Sequence, residues 1–279
     1  MIRYSNVFDN KNMLLIEQGG SYFVYEHQMD RSNSSVSAAN AYFMREMNVK
    51  KRQVLCQLNN TSMRMQAGAM QWMTGDIHMK TGLNVGNIIG KAIKAKVTGE
   101  SLAKPIYEGQ GCIMLEPTYN HILIENVANW GANGVVLDDG LFLACDSTIE
   151  EKVVARSNIS SAVFGGEGLF NLSLRGQGFF VLESPVPREE LFVFDLENDV
   201  LKIDGNMAVA WSATLQFSVE KTSKSLIGSA ISKEGLVNVY RGTGRVMMAP
   251  TLPGTLNKFE NNGPEQKSSN SHPMSALGD

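Results

Sequence analysis

One frame recurs three times along the chain, and it limits the fold more than any other feature. "GESLAKPIYEGQGCIMLEP" (99–117) and "GEGLFNLSLRGQGFFVLESP" (166–185) share Glu100 and Glu167, Leu102 and Leu169, Gly109 and Gly176, Gly111 and Gly178, at a constant offset of 67 residues. A third copy, "KEGLVNVYRGTGRVMMAP" (233–250), supplies Glu234, Leu236, Gly242 and Gly244. Each copy reads Glu-x-Leu, an apolar run, Gly-x-Gly, then a second apolar run. The upstream halves repeat more weakly, each with a strand-like run, a glycine at Gly68, Gly140 or Gly205, and further strand-like runs. Such internal repeats fix an architecture before any motif does.

The local chemistry is that of β-structure. "FFVLES", "VLKI", "MAVAWSATLQFSV" and "LFVFDL" are short, rich in branched and aromatic residues, and bounded by Gly, Pro, Asn and Asp. Leu215, Phe217 and Val219 alternate with Gln216, Ser218 and Glu220, the period of a half-buried strand. Strand-like runs follow all three Gly-x-Gly elements. A phosphate-binding loop needs a helix there, so the elements read as corners of tight hairpins, where glycine supplies a positive φ.

The repeats divide the chain into an N-terminal extension (1–53), three β-repeats (54–118, 119–186, 187–251) and a tail (252–279) whose polar composition predicts disorder. Within the extension, residues 12–28 predict a hairpin turning at Gly19–Gly20. Residues 35–47 predict a short helix, with Ala38, Tyr42 and Arg45, or Ala39, Phe43 and Met47, at helical spacing.

Composition removes several functional classes. A formal net charge of −3 over 279 residues does not suit a broad nucleic-acid footprint. Cys56, Cys112 and Cys145 are odd in number and lack CxxC spacing, so they read as buried small hydrophobes rather than a disulfide framework or zinc site. No signal-peptide layout and no apolar run of about 18–20 residues occurs, so a cytoplasmic protein is the expectation. The histidines, His27, His78, His121 and His272, include no His-x-His pair, and His78 and His121 read as surface or satisfied strand residues. No Gly-x-Ser-x-Gly elbow is present. Asp138 and Asp139 flank a glycine turn, where Asp is favoured for local backbone bonding. Trp72 and Trp211 occupy corresponding strands and are expected in the core. No catalytic, metal or cofactor residues are assigned.

The segments "AGAMQWM" (67–73), Gly99-Glu100-Ser101, "FGGEGLF" (164–170) and "GTGRVMM" (242–248) resemble signature segments of the altered-inheritance-of-mitochondria protein twenty-four family, over roughly residues 54–251. That resemblance implies an all-β fold of three TRAP-like (tryptophan RNA-binding attenuator-like), double-stranded-β-helix-like repeats about a pseudo-threefold axis. It also implies a homo-oligomer, and eukaryotic relatives tied to mitochondrial inner-membrane organisation. It supplies no catalytic residues. The third copy carries "AISKEGL" (230–236) where an "FGGEGL"-like corner is expected.

Two groups of residues stand out as candidates. Glu100, Glu167 and Glu234 are equivalent in the repeats, and each is expected to cap its own corner or to converge with the others on the axis around a cation. In the longest connection of the repeats, Ile89, Ile93 and Val97 recur every four residues beside Lys91, Lys94 and Lys96. This predicts a short amphipathic helix with a basic rim, packed on its own sheet or on a neighbouring subunit, or docking an acidic protein partner or an anionic membrane surface. The expected function is a non-catalytic oligomeric structural or protein-interaction module. An RNA-binding module, by analogy with the attenuator-like fold, is the alternative.

Overall fold

In a computed structural model of the chain, residues 2–80, 104–155, 170–221 and 236–251 are described. The architecture is all-β, two curled sheets of eight and seven strands with one short α-helix among the described residues. The N-terminal part forms β1 (Met13–Gly19), β2 (Tyr22–His27) and helix α1 (Ala38–Glu46). The first repeat forms β3 (Arg52–Met65), β4 (Met70–Lys80) and β5 (Ile106–Leu115). The second forms β6 (His121–Asn126), β7 (Val135–Leu137), β8 (Phe142–Asp146), β9 (Ile149–Ala155), β10 (Phe170–Gly176) and β11 (Phe179–Ser184). The third forms β12 (Phe192–Asp204), β13 (Ala208–Ser212), β14 (Gln216–Lys221) and β15 (Leu236–Met248).

In every repeat the Gly-x-Gly segment is the middle strand. β5 pairs with β3 on one side and β4 on the other. β15 lies between β12 and the pair β13 and β14. In the second repeat the same path is broken in two: β10 lies between β7 and β9, and β11 between β6 and β8. All these pairings are antiparallel. Short seams join neighbouring repeats. Met63–Met65 of β3 pair with Asp146–Ala144 of β8, and Val135–Leu137 of β7 with Ser212–Ala210 of β13.

This pairing corrects the reading of Gly-x-Gly as hairpin corners. Gly109 and Gly111 lie inside β5, Gly242 and Gly244 inside β15, and Gly176 and Gly178 where the chain leaves one sheet as β10 and enters the other as β11. None reverses the chain. In the first repeat the glycines are needed for close approach instead: a Cβ on Gly109 would stand 2.0 Å from the carbonyl oxygen of Asp76, and one on Gly111 1.9 Å from that of Thr74, whereas one on Gly242 would meet nothing nearer than 3.8 Å. The φ of Gly109 and Gly111, 132° and 157°, is positive as well, a backbone conformation that side-chain-bearing residues rarely adopt. The upstream glycines do make turns. Gly68, Gly140 and Gly205 have φ of 82°, 77° and 67°, with open space around each.

Three apolar clusters fill the molecule. One joins β3, β4, β5 and β2 to β8 and β11, a second lies within repeat two and reaches β13 and β15, and a third gathers Val136, Trp211, Tyr240 and Val246. The ring of Trp211 stacks on Phe217 with centroids 5.5 Å apart and meets Tyr240 edge-on at 5.3 Å. Trp72 is only half-buried, and among the described residues β4 pairs on one side alone. Cys56 and Cys145 are buried, and burial pushes both thiols well above their ordinary pKa, whereas Cys112 is half-buried.

The N-terminal hairpin turns one residue later than expected, with Gly19 opposite Tyr22. The helix is shorter than 35–47 and buries none of its residues. Its N-cap Ser37 makes no side-chain capping bond. Residues 252–279, for which disorder is expected, lie outside the described residues.

Gly109→Ala and Gly140→Ala separate the two roles of glycine. The first forces a Cβ into a backbone carbonyl and should cost more than about 2 kcal/mol. The second, strained in φ alone, should cost about 1 kcal/mol. Urea denaturation of both variants measures the difference.

Candidate interaction surfaces

A strand edge carries a row of unpaired backbone donors and acceptors, and a soluble chain must pair, cover or blunt it. The first strands of the three repeats meet this problem differently. In repeat one, β2 pairs with residues 52–56 of β3. In repeat two, β1 lies against β6 and is tied to it through side chains. The Ile124 amide donates to Glu17 Oε1 at 3.2 Å, and Arg188 Nη2 donates to Glu17 Oε1 at 2.8 Å and to the Ile124 carbonyl at 3.0 Å. Arg188 also pairs with Glu125. The hairpin tip seats here because it has no side chain: a Cβ on Gly20 would fall 2.6 Å from the Phe179 ring. The N-terminal hairpin is thus a wedge covering two strand edges.

Beneath the wedge lies a polar cleft of about 340 Å³ lined by Glu17, Glu26, Arg52, His121, Arg188 and Glu189 among others. Arg52 is fully buried, an unusual state for arginine that requires partners. Its Nη2 donates to Glu26 Oε2 at 2.8 Å and to the carbonyl and Oδ1 of Asn48 at 3.2 Å, and its Nη1 donates to the Lys50 carbonyl at 3.3 Å. Lys50 Nζ binds the other oxygen of Glu26 at 2.9 Å. Burial pulls the Glu26 carboxyl upward, but Lys50 and Arg52 outweigh it and hold the pKa below its ordinary value. His121 is held below its ordinary value by burial and by Arg52, against Glu189 and Glu26. Nearby, hydrogen bonds from Lys51 and Ser32 hold Asp30 well below the carboxylate range. These groups serve one another: the cleft is a charge-paired joint.

A wider cleft of about 780 Å³ lies over Trp211 and Phe217, rimmed by Lys152 and Arg175 against Glu150 and Glu151. No histidine or cysteine is among its described lining residues. Among the described residues no group of His, Cys, Asp and Glu is placed to hold a metal ion. None of their helices is long and apolar enough to cross a membrane.

The third repeat keeps its edge open. Among the described residues β12 pairs only with β15, and β4 only with β5. The consequence shows at equivalent positions. Leu55 pairs with Met114, three residues past Gly111, and Val193 with Met247, three past Gly244. Under the wedge, Val54, Leu55 and Cys56 are 0%, 4% and 0% exposed, whereas Phe192, Val193 and Phe194 are 52%, 52% and 36% exposed. Val200 on β12 and Met73 and Met79 on β4 are exposed as well.

The residues singled out from sequence are not brought together here. Ile89, Ile93, Lys91, Lys94, Lys96, Glu100, Glu167 and Glu234 all lie outside the described residues. His78 is exposed beside Asp76, as expected for a surface histidine, whereas His121 faces the polar cleft. Arg52, Glu26 and Arg188 escaped sequence reasoning, since nothing local marks which charged residues a distant strand will bury. The run "LFVFDL" did carry a signal: four consecutive large apolar residues exceed what one buried face requires.

The chain belongs to the mitochondrial biogenesis AIM24 family, whose model matches residues 45–251. An uncharacterized protein of Streptococcus pyogenes serotype M6 is 28% identical over 210 residues, covering 71% of this chain and 82% of that protein. The crystal structure of another Streptococcus pyogenes protein shares the fold with a TM-score of 0.54 at 24% identity, covering 77% of this chain and 93% of that one.

Acid should act through the joint. Glu26, Asp30 and His121 all bind protons more weakly in the folded chain, so each contributes stability above its unfolded pKa that is lost as pH falls through its folded value. Urea midpoints should begin to fall below about pH 6.5 with His121 and steepen below about pH 4.5 with the carboxylates. His121→Gln should remove the upper limb. Arg52→Met, which leaves the Glu26 carboxylate with the Lys50 cation alone, should cost up to about 3 kcal/mol near neutral pH, and Glu26→Gln in the same chain should recover part of that loss.

Proposed function

We propose that this member of the AIM24 family is a non-catalytic structural module that acts by self-association, with its three repeats arranged about a common pseudo-axis. The observation that carries the reading is the β12 edge, a thirteen-residue strand with Phe192, Val193, Phe194 and Val200 exposed. Long apolar edges left open are association sites. The recurring middle-strand pairing supports the common arrangement of the repeats. The non-catalytic part rests on the polar cleft, where the charged side chains are satisfied by one another rather than poised toward a substrate.

Light scattering at micromolar concentration tests the reading. The expected result is a mass well above the 30.6 kDa of one chain, and a Phe192→Glu, Phe194→Glu variant shifted toward monomer with an unchanged circular dichroism spectrum. A wild-type chain that stays monomeric removes the proposal.

A further inference from the structure

We infer that copies of this chain join head to tail, the β12 edge of one copy adding to the β4 edge of the next in the register that the chain already uses twice within itself. The inference rests on the self-association proposed above and places one of its contacts at residues 201–203 of β12, apart from the exposed stretch at Phe192–Phe194.

The middle strands provide a common ruler. Arg64, Val136 and Lys202 each pair with the residue three before the first glycine of Gly-x-Gly: Ile106, Ser173 and Val239. Met73, Cys145 and Trp211 each pair with the residue two past the second glycine: Ile113, Phe180 and Val246. Within the chain, Arg64 faces Cys145 and Val136 faces Trp211 across the two seams. The positions left over are Lys202 and Met73. A third seam in the same register sets Lys202 opposite Met73, Leu201 opposite Thr74 and Ile203 opposite Trp72.

Chemistry at these positions fits. In the closed seams the apolar residues flanking the central pair are buried, Met63 and Met65 against Ala144, and Val135 and Leu137 against Ala210. Leu201, Ile203 and Trp72 hold the same places, and Leu201 and Trp72 remain half-exposed. Two edges that are unpaired among the described residues of one chain, and that match each other rather than themselves, make a heterologous contact. Continuation of the ladder would set Asp199 against Asp76, a like-charged pair that disfavours a longer seam.

Disulfide trapping between two differently tagged copies tests this, in a Cys112→Ser background that removes the partly exposed thiol. One copy carries Lys202→Cys and the other Met73→Cys. The expected result is a cross-linked pair in the mixture and none from either copy alone. Cross-linking of the Lys202→Cys copy with itself would mean a two-fold β12 contact and would overturn the inference. So would the absence of a mixed product while light scattering still shows oligomers, an outcome that leaves self-association standing. Wild-type monomer in light scattering overturns both. A second pair of variants avoids cysteine altogether: Met73→Lys should weaken association about tenfold by facing Lys202 with a like charge, and Lys202→Glu added to it should restore association. Insensitivity to both changes also overturns the seam.

Discussion

The two-sided pairing of the middle strand in each repeat governs the rest of the structure. At Gly109 and Gly111 the chain passes so near the carbonyls of Asp76 and Thr74 that no side chain fits. That approach lets β5 bend while keeping neighbours on both flanks, and β15, whose Gly244 lies against the side chains of Ser212 and Thr214, likewise serves partners on both sides. In the second repeat the same bend carries the chain from one sheet into the other. Because the middle strand is satisfied on both sides, the unpaired donors and acceptors collect on the outer strands. The fold then becomes a matter of how those outer edges are covered.

Two solutions coexist. The N-terminal hairpin covers the β3 edge with a backbone ladder and meets the β6 edge with the carboxylate of Glu17 and the guanidinium of Arg188. A buried Arg52 with Glu26 fixes the strand that receives the ladder. Such a pair is seldom a net gain against an apolar replacement, but it is costly to break and it specifies one arrangement of its neighbours. The outer edges β12 and β4 have no such cover among the described residues, and exposed Phe192, Val193 and Met73 mark them.

Much of the fold was legible because local chemistry and tertiary role coincide. The turns at Gly68, Gly140 and Gly205, the hairpin of residues 12–28 and the alternation through Leu215–Val219 follow from residue types that admit few alternatives. Gly-x-Gly was misread for a physical reason: positive φ serves both a reversal and a close approach, and sequence does not say which strand lies alongside. Trp72 and Trp211 illustrate the same limit. They sit in corresponding strands, yet Trp211 is buried and Trp72 half-exposed, because β7 pairs with β13 while among the described residues β4 pairs only with β5. The candidate joint was hidden for the corresponding reason. Arg52, Glu26 and Arg188 come from three separate stretches and acquire partners only when the wedge is seated.

Hydrogen exchange of the backbone amides in β4 and β12, followed as a function of protein concentration, tests the central claim most directly. If a second copy completes these edges, amides on their outer sides exchange slowly at high concentration and lose protection on dilution, while those of β5 and β15 stay protected throughout. Outer-edge exchange in β4 and β12 that is fast and independent of concentration would contradict the account.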